Sequence, residues 1–328
     1  MDGYRFERAY LAERANLGAA WASIALRAAN TQLSTRNFDL LHVHGEVASA
    51  LCLPSLAIRP SVVTLHGLHL LRRVTGPARW AAEANLRLVV NSATKTICVA
   101  EAERDDVLDV VKGRALQRVV VIHNGVTPRD PPSLKERLAI REELGLSPQS
   151  VVGICVGSLD VHKDPLVAVR AAIEVARRSA RLTLLVAGDG PLRPELERLA
   201  RDEGAGAVLM LGFRSDVARV LAAADFFVLP SRREGLSYSL LEAMSLGLPA
   251  VVSDAPGNPE AVGDAGIVVP CGEVAGFADA FQRLLSGPER HVLGKRARVR
   301  VTRHFLAEDM VRRTAEVYDD VVGALRAG

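Results

Sequence analysis

Short, unbroken apolar runs recur along this chain, bounded by charged or glycine-containing stretches. That pattern belongs to strands buried on both faces rather than to half-exposed strands with alternating polarity. In the first part the runs are Leu40–His44, Ser61–Leu65, Thr96–Ala100 and Arg118–Ile122. In the second they are Val151–Val156, Leu182–Ala187, Val208–Leu211, Phe226–Leu229, Ala250–Ser253 and Gly266–Val269. Between the later runs the spacing changes to a helical one, near residues 164–179, 191–203, 215–223 and 237–246. Repeated β–α alternation predicts an α/β protein with doubly wound parallel sheets. Residues 4–34, rich in Ala and Leu with interspersed charges, read as one or two helices, and 288–326 as an amphipathic helical tail. The stretch Asn124–Ser133, with Gly125, Pro128, Pro131 and Pro132, is the best linker. The resulting organisation is a first domain over 1–125, a second over 126–300 and a C-terminal helix over 301–328.

Composition narrows the picture. With 328 residues, 49% hydrophobic and 24% charged, the chain has enough apolar material for two globular domains. Aromatics at 4% favour α/β layers over a β-sandwich. The net charge of +3 argues against a nucleic-acid partner. Up to residue 150 there are 19 basic and 15 acidic residues (+4), and 22 against 23 beyond it (−1). A mildly basic first part leaves room for contact with anionic lipid or substrate, although an ordinary mixed surface explains it as well. Cys52, Cys98, Cys155 and Cys271 are far apart and read as buried small hydrophobes in a reducing compartment. Charges at Asp2, Arg5, Glu7 and Arg8 do not fit a leader peptide, and no apolar run approaches the ~18 residues of a membrane span. The expected location is cytoplasmic, with peripheral contact at the inner face of the membrane as an option.

The most informative stretch runs from Leu229 to Ser253. A strand ends at Pro230, a polar loop with Gly235 follows, and a helix begins near Ser237 and stops at Gly247 and Pro249. Free N–H groups at Gly235–Tyr238 would face the crevice at the helix start, a natural seat for a diphosphate. Glu234, in the loop, can reach ligand hydroxyls. Glu242, flanked by Leu240, Leu241, Ala243 and Met244, is a carboxylate in apolar surroundings that suits a pair of hydroxyls such as those of a ribose. The alternative is a solvated Glu234 and a Glu242 that reaches a surface ion pair.

Glu234 and Glu242, with the surrounding text PS-x-x-EG-L-S…LLEAMS-x-G-x-P-x-V-x-S-D, resemble the E-x7-E signature of glycosyltransferase family 4. Other segments resemble the family in the same order: Phe38–His44, Thr64–Gly67, Val121–Val126, Val156–Leu159 with Lys163, Ala187–Pro191, Ala223–Asp225 and Ser253–Glu260. The resemblance covers about residues 38–325 and implies two Rossmann-like domains of GT-B type. It implies that Glu234 binds donor-sugar hydroxyls and Glu242 the ribose. Lys163 and the amides near Gly235, Leu236 and Ser237 would hold the diphosphate, beside the turns at Gly157, Ser158, Gly188 and Gly190. His66 would approach the sugar from the other domain. His42 and His44 read as cleft walls rather than metal ligands, since no third ligand is evident and the family is similar in needing no metal or other cofactor.

The reaction so implied moves a hexose from a nucleoside-diphosphate sugar to a hydroxyl of a glycan, lipid or small-molecule acceptor, retaining the anomeric configuration. Two departures from the family stand out. Ser158 occupies a position where the family usually has Arg, leaving Lys163 as the evident cation, with Arg193, Arg232 and Arg233 as candidates to compensate. Only residues 1–37 precede the Phe38–His44 segment, fewer than in the family, so the first domain is expected to lack its first strands and expose a sheet edge. Two other classes stay open on these residues: a non-catalytic binding or partner protein that kept the second domain, and a sugar-nucleotide epimerase.

Overall fold

A computed structural model of the chain describes residues 38–179, 181–204 and 206–326. It contains two compact units. One ends at His123 and takes back the chain from Glu308; the other is Asn124–Ala307.

In the first unit the four apolar runs become parallel strands, β1 (Leu41–His44), β2 (Ser61–Thr64), β3 (Lys95–Cys98) and β4 (Val119–Val121), hydrogen-bonded in that order. The helix Gly76–Ser92 covers them with Ala82, Leu86, Val89 and Val90, a single stripe at helical spacing. The final helix, Ala307–Arg326, turns Val317, Tyr318 and Val321 onto Val62, Ile97 and Ile122, so the tail completes this core. The predicted 288–326 tail is two helices, Gly287–His304 and Ala307–Arg326. They part where Leu306 bridges Val126, with the Val126 amide donating to Phe305 (2.9 Å) and the Ala307 amide to Val126 (3.0 Å). The helices expected over 4–34, and the missing first strands, lie outside the described residues.

The second unit holds a six-stranded parallel sheet, β5 (Val151–Val156), β6 (Leu182–Ala187), β7 (Val208–Gly212), β8 (Phe226–Leu229), β9 (Ala250–Ser253) and β10 (Gly266–Val269). Its order is β10-β9-β8-β5-β6-β7. The helix Pro165–Ala176 is buried almost all round because it packs against both the sheet and the helix Val274–Leu284. Phe281 of the latter meets Phe226 of β8 at 5.3 Å between ring centroids. Each such buried aromatic contributes roughly 2–3 kcal/mol. The chain winds outward from β5 in both directions, so the switch point lies between β5 and β8. In sheets of this kind, ligands bind there, at the carboxyl ends of the strands.

Candidate functional site

β5 runs out into a loop carrying Gly157–Lys163, and the neighbouring β8 into Pro230–Ser237. At this switch point Lys163 Nζ meets Glu234 Oε1 at 2.5 Å, and Ser231 Oγ donates to the same oxygen at 2.8 Å. Glu234 is 5% exposed, so it is a buried carboxylate held by a cation and a hydroxyl and not a solvated one. The Lys163 side chain is 30% exposed and keeps one side open. Ser231 is fixed in turn: Ser253 Oγ donates to its carbonyl, and Asn258 Nδ2 donates to Ser253 Oγ at 3.1 Å.

Asp160 shapes the Lys163 loop. One carboxylate oxygen accepts from the amides of His162 (2.8 Å) and Lys163 (3.0 Å), the other from Ser158 Oγ (2.7 Å). Burial pushes the Asp160 carboxyl up, but these donors outweigh it and hold it below its ordinary value. Ser158 is therefore engaged within the turn. Of the candidate cations, Arg232 pairs with Asp164 (2.7 Å) and Arg233 contacts His162 Nδ1 (3.2 Å), which ties the two loops together beside Lys163. Arg193 bonds instead to Glu197 (2.7 Å) and Asp189 (3.3 Å).

The glycines permit close backbone approach. A Cβ at Gly188 would overlap the Gly157 carbonyl, and one at Gly257 (φ 87°) would overlap that of Gly235. Asn124 Nδ2 donates to the Leu236 carbonyl at 2.7 Å, which orients the loop from the linker side. The amides of Gly235, Leu236 and Ser237 donate to no protein acceptor among the described residues. The Ser237 hydroxyl lies 3.1 Å from Ser239 Oγ and leaves the start of the helix Tyr238–Ser245 uncapped. Open amides at a helix start suit an anionic ligand oxygen. Glu242 corrects the sequence reading: Leu240, Leu241, Ala243 and Met244 are buried, but the carboxylate stands on the exposed face with Tyr238, one turn away. Cys271 is likewise exposed, whereas the other three cysteines are buried as expected.

The first unit carries a different cluster. His42 and His44 share one face of β1, their rings stacked at 4.2 Å, and His44 Nδ1 lies 3.0 Å from Nε2 of His66, which follows β2. Both ring nitrogens of His42 are engaged, by Tyr318 Oη (2.6 Å) and Thr64 Oγ1 (2.7 Å). Burial, reinforced by the neighbouring imidazoles, pushes His42 down to about 3 and His66 to about 4, and burial lowers His44 as well. All three are neutral at pH 7.

The His66 loop rests on Glu103, which sequence reasoning missed. This fully buried carboxyl accepts from the amides of Gly67 and Val99, the latter at 2.7 Å. Burial raises it to about 7 against the pull of those amides. A signal was present: in the helix Glu101–Val110, position 103 falls on the buried stripe with Val107 and Val110. Asp160, Ser231 and Asn258 carried no comparable signal, because their partners are distant in sequence or set by loop geometry.

A doubly wound sheet with a lysine–glutamate pair and open amides at its switch point, in a chain that also carries a second parallel-sheet unit, defines an α/β protein of the GT-B glycosyltransferase class. The chain belongs to glycosyltransferase family 4. Residues 3–130 match the model described as Glycosyltransferase Family 4, and residues 150–287 the one described as Glycosyl transferases group 1. It is 32% identical over 232 residues to an alpha-D-kanosaminyltransferase of Streptomyces kanamyceticus, covering 68% of this chain and 58% of that protein. It is 28% identical over 309 residues to the UDP-Gal:alpha-D-GlcNAc-diphosphoundecaprenol alpha-1,3-galactosyltransferase of Escherichia coli, covering 88% of this chain and 77% of the relative. The chain thus spans between half and four fifths of the length of these relatives. In fold it is similar to Anabaena HepE, solved in complex with UDP, with a TM-score of 0.75 at 21% identity over 92% of this chain and 82% of that one. No helix among the described residues is long and apolar enough to cross a membrane.

Proposed function

We propose that this chain transfers a hexose from a nucleoside-diphosphate sugar to an acceptor hydroxyl with retention of configuration. The observation that carries the reading is the Lys163–Glu234 pair at the β5–β8 switch point, set beside the open amides of Gly235–Ser237. A diphosphate leaving group gains negative charge as the bond to the anomeric carbon breaks. Fixed amide dipoles and a partly desolvated ammonium stabilise that charge without moving a proton. Glu234, anchored by Ser231 and Lys163, offers its carboxylate to a sugar hydroxyl, and Glu242, on the exposed face, takes ribose hydroxyls. Arg232 and Arg233 supply positive charge next to the position Ser158 leaves without an Arg.

The acceptor oxygen attacks the anomeric carbon on the face the diphosphate leaves, and the acceptor proton passes to a departing phosphate oxygen. No side-chain nucleophile is required, and neither a metal nor another cofactor enters this reading. His66, neutral and tied to His44, offers a hydrogen bond to a sugar hydroxyl and no charge. Glycan, lipid and small-molecule acceptors all fit, as does a cytoplasmic enzyme with peripheral membrane contact. UDP is the first nucleotide to test, because HepE was solved with it and the E. coli relative is named for UDP-Gal.

Thermal unfolding with UDP, GDP, ADP and dTDP, alone and as sugar conjugates, tests donor binding. A nucleotide at about a hundred times its dissociation constant stabilises by roughly 2.7 kcal/mol. One nucleotide should shift the transition and its sugar conjugate should support transfer. Binding without transfer over a broad acceptor panel would instead favour a non-catalytic member of the family, and no shift with any nucleotide would overturn the reading.

A further inference from the structure

At the amino-terminal ends of β8 and β9, on the far side of the second sheet from the Lys163–Glu234 pair, lies a cavity of about 750 Å³. The turn Leu246–Pro249 and one stripe of the helix Gly287–His304 line it, together with Arg137 and Asp225. Asp225 is its one lining carboxylate, and it sits among three guanidiniums: Arg137 at 2.7 Å, Arg141 at 2.5 Å and Arg290 at 3.9 Å. The same carboxylate also accepts from the Val152 amide at 2.8 Å. One negative charge thus faces three positive ones, of which Arg141 is 9% exposed while Arg137 and Arg290, on the cavity wall, keep 26% and 22% of their side chains open.

Lys295 and Arg298 extend the cationic lining. Arg298 is offset by Asp130 at 3.0 Å, whereas Lys295 has no side-chain partner among the described residues. Burial lowers the Arg137 pKa; Asp225 opposes this, and the charges of Arg141 and Arg290 add to it. Arg290 also donates to the Leu284 carbonyl at 2.7 Å, but a carbonyl carries no countercharge, and an anion in the cavity would offset the remaining excess of positive charge. The excess is local. The chain beyond residue 150 sums to −1, yet 287–304 carries six Arg and Lys residues against the single acid Glu289.

We infer that this cavity is a second binding site, for a phosphate-bearing anion, recognised by the forks of Arg137 and Arg290 with Lys295 alongside. Guanidinium forks match phosphate oxygens two at a time, and the volume is in the range of small-molecule sites. The strands hold this cavity roughly 15 Å from the switch point, so it is distinct from the donor site. An anionic phospholipid headgroup and a soluble phosphate ester share the required chemistry.

Calorimetric titration of the full chain with pyrophosphate tests the site. The wild type should show two classes of sites. Lys163→Ala should weaken the one at the switch point, and Lys295→Ser with Arg298→Ser the other, by at least about tenfold. Arg290→Lys, which keeps the charge and loses the fork, should also weaken the second class while leaving the unfolding transition in place. The proposal is overturned if Lys163→Ala abolishes all pyrophosphate binding, or if the cavity variants bind as the wild type does. Pyrophosphate binding that responds to the cavity variants and not to Lys163→Ala would support this site while counting against the donor reading. Flotation with phosphatidylglycerol and phosphatidylcholine vesicles separates the sources. Capture by the former alone, lost in the cavity variants, identifies a headgroup; pyrophosphate binding without vesicle capture identifies a soluble ester.

Discussion

The cluster at the ends of β1 and β2 consists of three neutral imidazoles, whereas the one between β5 and β8 is built on a lysine–glutamate ion pair. Both lie at carboxyl ends of parallel strands, and both are partly withdrawn from water. The histidines have hydroxyls and one another for partners, so burial drives their protons off. Glu234 has an ammonium 2.5 Å away and a hydroxyl on the same oxygen, a charge-assisted pair rather than a set of neutral rings. Equivalent positions in two similar folds therefore acquire different electrostatics. A neutral hydrogen-bonding surface suits sugar hydroxyls; a charged one with open amides suits a diphosphate.

The strongest way to break this contrast is Glu234→Ala. It strands Lys163 without its carboxylate and removes the proposed sugar contact, and initial transfer rates should fall a hundredfold or more. Rates equal to the wild type would mean that the chemistry lies elsewhere. Next in size is Gly257→Ala, which forces a side chain into a left-handed backbone beside the Gly235 carbonyl. Denaturant unfolding should show a loss of about 2 kcal/mol or more, together with weaker nucleotide binding.

Acid sharpens the comparison from the other side. His42 and His66 have folded pKa values below their ordinary 6.5, so the unfolded chain binds more protons. Their contribution is complete above pH 6.5 and is lost as pH falls towards 4. Glu103, raised from 4.5 to about 7, works in the opposite sense, its protonation favouring the folded state between those values. Glu103→Gln should therefore steepen the acid loss of the first unit by up to about 1.4 kcal/mol per pH unit, read by hydrogen exchange of β1–β4 across pH 4.5–7. An unchanged slope would show that Glu103 does not titrate in this range. The smallest effect expected is on stability in Glu242→Ala, within about 0.5 kcal/mol because the side chain is exposed. Its donor KM should nevertheless rise about tenfold through lost hydroxyl contacts.

Much of the fold was legible beforehand. The apolar runs at Val151–Val156, Leu182–Ala187, Phe226–Leu229, Ala250–Ser253 and Gly266–Val269 became strands with those same bounds. Buried parallel strands need continuous apolar segments, and glycines and prolines end them cleanly. The helix Val274–Leu284 was not anticipated, and neither was Leu134–Glu143, although Ser133 and Glu136 form a capping box at the start of the latter. Glu234 could be singled out because it follows a strand in a glycine-containing loop, and Lys163 because Val156–Leu159 with Lys163 resembles the family. Their direct pairing could not, since 71 residues separate them and only strand order brings β5 beside β8.

The sequence by itself determined the element types, the switch from strand to helical spacing and the family motifs, because these depend on residues near one another in the chain. Tertiary structure alone decided which side chains lost water and which gained a counter-charge. That choice made Glu103 a core carboxyl, left Glu242 on the surface, neutralised three histidines and crowded three arginines around Asp225. Burial and Coulomb energy depend on distances in space, and no spacing along the chain encodes them.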